Sequence, residues 1–374
     1  MQIVADENMP LVAELFAAHE VRRLPGRAIS AGDLQAADAL LVRSVTRVDR
    51  SLLEGTPVRF VGTATIGTDH IDLPAMAGLG IHVASAPGCN ARAVGEYVAT
   101  ALAILAAEQG WQPGQRTLGV VGLGNTGRQV VALACALGFR VLGCDPFVCQ
   151  PDIEQLPFAE LVERADILSF HVPLVREGSH PTWRMADARV LSGLCPGAVL
   201  INACRGEVVD GAALLAALHS GRDLTAVLDV WEGEPRIQPD LLAAVALGSP
   251  HVAGYSQEGK WRGTEMVHRA FCEFFGQSAT TTSGRLWPAA DLEVQLPVAG
   301  DPGARLAAIL RQACPIPRDL KALRDSMSAP DRGAAFDALR RDYPPRREFT
   351  AWRARLPGSD PLRQTLAALG FRLA

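Results

Sequence analysis

The sequence predicts an α/β protein built from doubly wound parallel sheets. Three observations carry this reading. Short apolar runs alternate with helix-like stretches through the first ninety residues, the rhythm restarts at Leu118 and continues to Val230, and a glycine-rich turn joins strand to helix at the restart.

In the first stretch, residues 3–5, 39–42, 59–62 and 81–83 read as strands, with helix candidates at 11–19 and 72–79, the latter closed by Gly80. Parallel neighbours need a crossover of this length, so the spacing implies a sheet covered on both faces. A longer helix at 91–108 leads into the second stretch. There a strand at 118–121 precedes a helix with Val130, Leu133, Ala134 and Leu137 on one face, ended by Gly138. Strands at 141–144, 166–171, 198–202 and 224–230 alternate with helices at 158–164, 189–194 and 212–219. After about Tyr255 the rhythm is lost. One long helix is expected at 261–275 and a strand at 292–296, and the remainder is helical, Arg-rich and broken at Pro344-Pro345.

The bulk numbers fit a soluble globular chain of two or three domains: 374 residues, 48% hydrophobic and 20% charged. A formal charge of −4 gives no footprint for nucleic acid. The charge is uneven, with 15 Lys+Arg against 10 Asp+Glu from Arg285 onward, and 21 against 30 in the preceding 284 residues. Such a basic tail is usually a solvated face. Eight cysteines without a CxxC or paired metal spacing read as thiols in a reducing compartment, and no metal site is expected. The N-terminus lacks the pattern of a signal peptide and no long apolar span occurs, so the expected location is cytoplasmic, with no membrane partner.

Gly122-Leu-Gly124-Asn125-Thr126-Gly127 matches G-x-G-x-x-G between a strand and an amphipathic helix, the context that a dinucleotide fingerprint requires. Gly122 makes the turn, Gly124 lets backbone approach a pyrophosphate, and Gly127 lets helix and strand pack closely. Asp145 follows Gly127 by 18 residues at the end of the next strand. A carboxylate there accepts from both ribose hydroxyls and repels a 2′-phosphate, which favours NAD over NADP.

With the fingerprint, three further segments resemble the D-isomer-specific 2-hydroxyacid dehydrogenase family: Ile201-Asn-Ala-Cys-Arg-Gly-Glu-Val-Val-Asp210, Asp229-Val-Trp-Glu-Gly-Glu-Pro235 and Ser249-Pro-His251. They occur in the family's order, each just after a predicted strand. The resemblance implies a catalytic set of Arg205, Glu234 and His251. The chemistry suits them: His251 as base for the hydroxyl proton, Glu234 on its ring nitrogen, and Arg205 as a planar fork for a carboxylate that also polarises the C2 oxygen. His171, at a strand end, reads as packing, His70 as shaping its loop, and Glu232 lacks the position before proline.

Thr63-Ala-Thr-Ile-Gly-Thr-Asp-His-Ile-Asp72, Ala86-Pro-Gly-Cys-Asn-Ala-Arg-Ala-Val-Gly-Glu-Tyr97, Asn-Ala-Cys-Arg at 202–205 and Gly254-Tyr255-Ser256 narrow the resemblance to one branch of the family. That branch implies oxidation of a phosphorylated sugar acid, 4-phospho-D-erythronate, to (R)-3-hydroxy-2-oxo-4-phosphooxybutanoate in pyridoxal 5′-phosphate (vitamin B6) biosynthesis. It also implies a fold with a Rossmann NAD-binding domain at 93–256, a flavodoxin-like substrate or lid domain at 1–92 and 257–280, and a C-terminal α+β dimerisation module at 281–374 of a homodimer. Substrate contacts fall on Ser44, Thr65 and Tyr255, with Arg43 as the first phosphate candidate and the Arg346–Arg347 pair as a second. Cofactor contacts fall on Gly122, Gly124, Asn125, Thr126, Gly127, Asp145, Ala203, Cys204, Asp229 and Gly254. One departure is Val172, where family members can place threonine before the proline. The alternatives are the same chemistry on another phosphorylated acid such as 3-phosphoglycerate, and an NAD-sensing protein like the corepressors that share the fold.

Overall fold

The computed structural model describes residues 1–279, 287, 292–297 and 300–374. The chain opens with β1 (Gln2–Asp6), α1 (Val12–Leu15), β2 (Glu20–Leu24), β3 (Ala39–Val42), α2 (Arg50–Leu53), β4 (Phe60–Thr63), α3 (Leu73–Gly78) and β5 (His82–Ala84). It continues with α4 (Ala91–Gln109), β6 (Thr117–Val121), α5 (Asn125–Ala136), β7 (Arg140–Cys144), β8 (Glu154–Gln155), α6 (Phe158–Arg164) and β9 (Ile167–Phe170). Next come α7 (Ala188–Gly193), β10 (Ala198–Asn202), α8 (Gly211–His219), β11 (Leu224–Leu228), α9 (Pro239–Ala244), β12 (Leu247–Gly248) and α10 (Gln257–Phe274). The last stretch holds β13 (Leu292–Glu293), α11 (Pro302–Ala313), α12 (Ile316–Ser326), α13 (Arg332–Arg341), β14 (Trp352–Ala354), α14 (Arg363–Ala368) and β15 (Arg372–Leu373).

Residues 1–90 with 256–279 and 287 form one compact unit, and 91–255 with 292–297 and 300–374 form a second. The boundary expected between residues 280 and 281 lies outside the described residues.

In the first unit a five-stranded parallel sheet runs β2-β1-β3-β4-β5, the flavodoxin-like order. Side chains alternate across it, as a period of two requires. Val4, Leu40 and Val42 enter one core with Ile29, Leu34 and Met76. Ile3, Ala5, Ala39 and Leu41 enter the other, which Val267 and Phe271 of α10 close from above. Strand β2 was not evident in the sequence. Its Glu-Val-Arg-Arg-Leu run has no apolar alternation, because it is an edge strand paired only to β1 and largely exposed.

The second unit carries a seven-stranded parallel sheet in the order β12-β11-β10-β9-β6-β7-β8, a Rossmann arrangement with one added strand and its switch point between β6 and β9. Leu118, Val120, Ile167, Val199 and Ile201 face one layer, built from α4, α5 and α11. Leu168, Phe170, Ala198, Leu200 and Leu228 face the other, with α6 to α9. Helix α4 is buried from Ala91 to Ala106 on nearly every side, which explains its run of Ala, Val, Leu and Ile without a polar stripe. The C-terminal residues share these same cores: Ile309, Leu310 and Phe349 join the first layer, and Leu320, Leu323 and Phe336 the second. A small parallel sheet, β13-β14-β15, completes the unit. Among the described residues no helix is long and apolar enough to cross a membrane.

Candidate active site

Parallel strands deliver their following loops to one edge of a sheet, and in this fold ligands bind there. The glycine turn follows β6 directly. Gly122 adopts φ +89°, and a Cβ on it would lie 2.6 Å from the carbonyl oxygen of His171. A Cβ on Gly127 would lie 1.9 Å from the Gly122 carbonyl, so neither position accepts a side chain. Gly124 is different: nothing lies within 4 Å of a Cβ built there, and as the N-cap of α5 it brings no side chain to the helix's first N–H groups. The amides of Asn125, Thr126 and Gly127 therefore face an open approach at the positive end of the helix, which fits a pyrophosphate.

Asp145, at the end of β7, is tied to the same turn. Its Oδ2 accepts from the Leu123 amide at 2.7 Å, and its Oδ1 from the amides of Phe147 and Val148 at 2.8 and 3.0 Å. These bonds fix the carboxylate beside the glycine turn, where a ribose diol can reach it. The residues present fit a dinucleotide with NAD-type ribose.

Beyond β10, the buried Asn202 shapes the turn that presents Arg205. Its Nδ2 donates to the Arg205 carbonyl at 2.8 Å and its Oδ1 accepts from the Cys204 amide at 3.2 Å, while Arg205 Nη1 donates to the Cys204 carbonyl at 2.8 Å. Burial pushes the Cys204 thiol up to about 11, so it stays protonated.

Beyond β11, Asp229 is buried, and its Oδ1 accepts from Ser249 Oγ at 2.6 Å and from the amides of Val252 and Ala253 at 2.7 and 2.9 Å. Its backbone carbonyl takes the His251 amide at 2.7 Å. Asp229, expected near the cofactor, is thus also the clamp that forms the loop bearing His251, and Gly254 follows directly on that loop. Among the described residues His251 is one of three non-glycine residues with positive φ, at +58°, a conformation this clamp sustains.

Glu234 reaches His251 from the loop after β11. Its Oε2 lies 2.8 Å from His251 Nδ1, and its Oε1 accepts from the Trp231 amide at 2.9 Å. Burial opposes ionisation of Glu234, yet the His251 charge and these hydrogen bonds outweigh it and hold the carboxyl below its usual range. Glu232 is occupied elsewhere, on Arg184 at 2.9 Å and the Gly211 amide at 3.1 Å. His171 is buried against Ser169 Oγ at 2.8 Å, and burial drives it down to about 3, so it stays neutral. Sequence reasoning gave no role to Tyr97, although it closes the segment that begins at Ala86; its hydroxyl lies 2.9 Å from Ser249 Oγ behind the loop, a partner 152 residues away that no local pattern signals.

In the first unit, Ser44 lies just past the end of β3 and is exposed, and Thr65 lies just past β4. Thr65 Oγ1 sits 2.7 Å from Thr63 Oγ1 and donates to the Gly67 carbonyl at 2.9 Å, and His70 Nε2 lies 3.1 Å from Thr63 Oγ1, within that loop. Arg43 Nη2 donates to the fully buried Asp6 at 3.3 Å. Arg346, a weaker phosphate candidate, is buried in the second unit and donates to the carbonyls of Ala253 and Ala93 and to Cys314 Sγ. It braces the loop after His251 from inside. Among the described residues no group of three or more His, Cys, Asp or Glu side chains is placed to hold a metal ion.

Residues 91–253 match the family model described as D-isomer specific 2-hydroxyacid dehydrogenase, NAD binding domain. The chain is 50% identical to the erythronate-4-phosphate dehydrogenase of Azotobacter vinelandii, over 99% of each chain. It is 47% identical to the protein of that name from Pseudomonas entomophila, over 100% of this chain and 99% of the relative. Among solved structures, a Thermus thermophilus protein superposes with a TM-score of 0.64 at 25% identity, covering 75% of this chain and 98% of that one. The Aquifex aeolicus D-lactate dehydrogenase complexed with NAD and lactic acid superposes with a TM-score of 0.62 at 24% identity, covering 74% and 96%.

Proposed function

The chain belongs to the D-isomer-specific 2-hydroxyacid dehydrogenase family, and on that premise we propose that Arg205, Glu234 and His251 oxidise 4-phospho-D-erythronate to (R)-3-hydroxy-2-oxo-4-phosphooxybutanoate, a step of vitamin B6 biosynthesis. The observation that carries the reading is the 2.8 Å contact between Glu234 Oε2 and His251 Nδ1. With Nδ1–H held by the carboxylate, Nε2 is the nitrogen left to take the hydroxyl proton of the substrate. As that proton arrives, Glu234 stabilises the imidazolium, and its lowered pKa keeps it ionised for the purpose. Arg205 holds the substrate carboxylate with two parallel N–H donors and draws charge toward the C2 oxygen as the carbonyl forms.

NAD, when bound, supplies the acceptor for the hydride that leaves C2. The glycine turn, the first amides of α5 and Asp145 are the residues that hold it, with Ala203, Cys204, Asp229 and Gly254 lining the loops at the same sheet edge. Ser44, Thr65, Tyr255 and Arg43 are the proposed substrate contacts, Arg43 serving the phosphate. The working unit is proposed as a cytoplasmic homodimer. Light scattering tests the dimer.

The deciding experiment follows NADH formation by the purified chain over a panel of phosphorylated acids. Turnover of 4-phospho-D-erythronate well above 3-phosphoglycerate is the expected result. A reversed preference, or none, overturns the substrate assignment.

A further inference from the structure

The loop after β4 carries a run of hydroxyl and imidazole groups whose donors can be assigned one by one. Thr65 Oγ1 lies 2.9 Å from the Gly67 carbonyl oxygen, and a carbonyl only accepts, so the single hydroxyl proton of Thr65 is committed there. Thr65 Oγ1 is also 2.7 Å from Thr63 Oγ1. With its own proton committed, Thr65 must accept at this contact and Thr63 donates. That commits the Thr63 proton in turn, so His70 Nε2, 3.1 Å from Thr63 Oγ1, is a protonated ring nitrogen and donates to it. Donation therefore runs from His70 through Thr63 and Thr65 to Gly67. A charged imidazole also carries a proton on Nε2, so the direction is the same in both charge states of His70. The backbone on either side is fixed, with the Ala64 amide donating to the Val42 carbonyl at 3.0 Å and the Ala86 amide to the Thr65 carbonyl at 2.9 Å. Thr63 is fully buried, whereas Thr65 is only partly covered, just past the end of its strand. A hydroxyl oxygen has two lone pairs, and these bonds use one of the two on Thr65.

We infer that Thr65 is a specificity-determining residue whose hydroxyl accepts a hydrogen bond from the C3 hydroxyl of 4-phospho-D-erythronate. This rests on the functional reading above, in which Thr65 is a substrate contact. The carboxylate and phosphate of the acid present chiefly acceptor oxygens, and a lone pair set against a lone pair is repulsive, so neither group suits Thr65. Two hydroxyls remain. The one at C2 gives up its proton in the oxidation, whereas the one at C3 keeps it, since the product is still a 3-hydroxy acid. A standing acceptor in the protein is thus matched to a standing donor in the substrate. 3-Phosphoglycerate has no such donor, because its one hydroxyl is the group to be oxidised. With that acid in place the Thr65 oxygen is shut off from water and left without its donor, which is the physical basis for rejecting it.

The test uses the full chain, the variant Thr65→Val, which keeps the shape and loses the oxygen, and Thr65→Ser, which keeps the oxygen. Each is assayed with 4-phospho-D-erythronate, its 3-deoxy analogue and its 3-deoxy-3-fluoro analogue, and NADH affinity is followed by fluorescence. The wild-type kcat/KM is expected to be about three- to ten-fold higher for the hydroxy acid than for the 3-deoxy analogue, the range for one neutral hydrogen bond. Thr65→Val should abolish that preference, Thr65→Ser should keep it, and NADH affinity should be unchanged in both. Fluorine at C3 cannot donate, so the fluoro analogue should have a KM no lower than that of the 3-deoxy one. Equal wild-type kcat/KM for the hydroxy and 3-deoxy acids, a preference as large in Thr65→Val as in the wild type, or a fluoro analogue with the KM of the hydroxy acid each overturn the inference. If Thr65→Val does not fold, the wild-type comparison of the three acids decides alone. Absence of wild-type turnover of 4-phospho-D-erythronate overturns the functional reading and this inference with it, whereas turnover without the preference overturns the inference alone.

Discussion

Glu234 Oε2 and His251 Nδ1 lie 2.8 Å apart, and this contact determines which nitrogen of the imidazole is available for chemistry. The Asp229 carboxylate, accepting from the Val252 amide, anchors the loop on which His251 sits at positive φ.

His251→Ala is expected to lower kcat by about 10²- to 10⁴-fold, the range for a general base. NADH binding, followed by fluorescence titration, should be retained. Glu234→Gln keeps the shape but removes the charge that stabilises the imidazolium, so its loss should be smaller and fall on kcat. Near-normal turnover of the His251 variant would falsify the assignment.

The glycine turn separates a folding role from a binding role. Gly124→Val adds a side chain into open space, so the chain should fold normally while the NADH dissociation constant rises by at least roughly tenfold as the branched side chain blocks the approach to the helix amides. Gly127→Val places a Cβ 1.9 Å from a carbonyl oxygen and should destabilise the fold itself. Thermal midpoints and NADH titrations of the two variants should therefore diverge. Equal midpoints would contradict the packing described.

Asp145→Asn keeps the acceptor for the Phe147 and Val148 amides, gives up the one for the Leu123 amide, and removes the negative charge facing a ribose. The preference for NAD over NADP, measured as a ratio of kcat/KM values, should narrow by roughly tenfold or more. An unchanged ratio would show that cofactor choice lies elsewhere.

Glu96, buried on α4, accepts from the Phe349 amide at 3.0 Å and from Arg92 Nε at 2.8 Å. Burial and the neighbouring Glu348 charge push its carboxyl up from 4.5 to about 8, against Arg92. Below about pH 4.5 the group is protonated in folded and unfolded chains alike. As pH rises from there toward about 8, the unfolded chain ionises first, so this group makes the fold progressively less stable. Glu96→Gln should flatten the decline in thermal midpoint across that window, and an unaltered slope would exclude Glu96 as its source.

Much of the site was legible along the chain because its chemistry is local. G-x-G-x-x-G, the Asn-Ala-Cys-Arg turn, the Glu-Pro and the Ser-Pro-His segments each follow a strand whose apolar run is visible, and topology brings strand ends to one edge. The partners that hold these residues were not legible. Asp229 and Ser249 lie 20 residues apart, Tyr97 is 152 residues from Ser249, and Arg346 is 93 from Ala253. No period or motif encodes such pairings.

The sequence by itself determined the two parallel-sheet folds and the nucleotide turn, because strand alternation, glycine and proline act over a few neighbouring residues. Only the tertiary structure decided that Arg346 is an interior brace and that Asp229 clamps the histidine loop. Those outcomes depend on which distant groups share a buried, weakly screened space, where every donor must find an acceptor, and that is settled by packing.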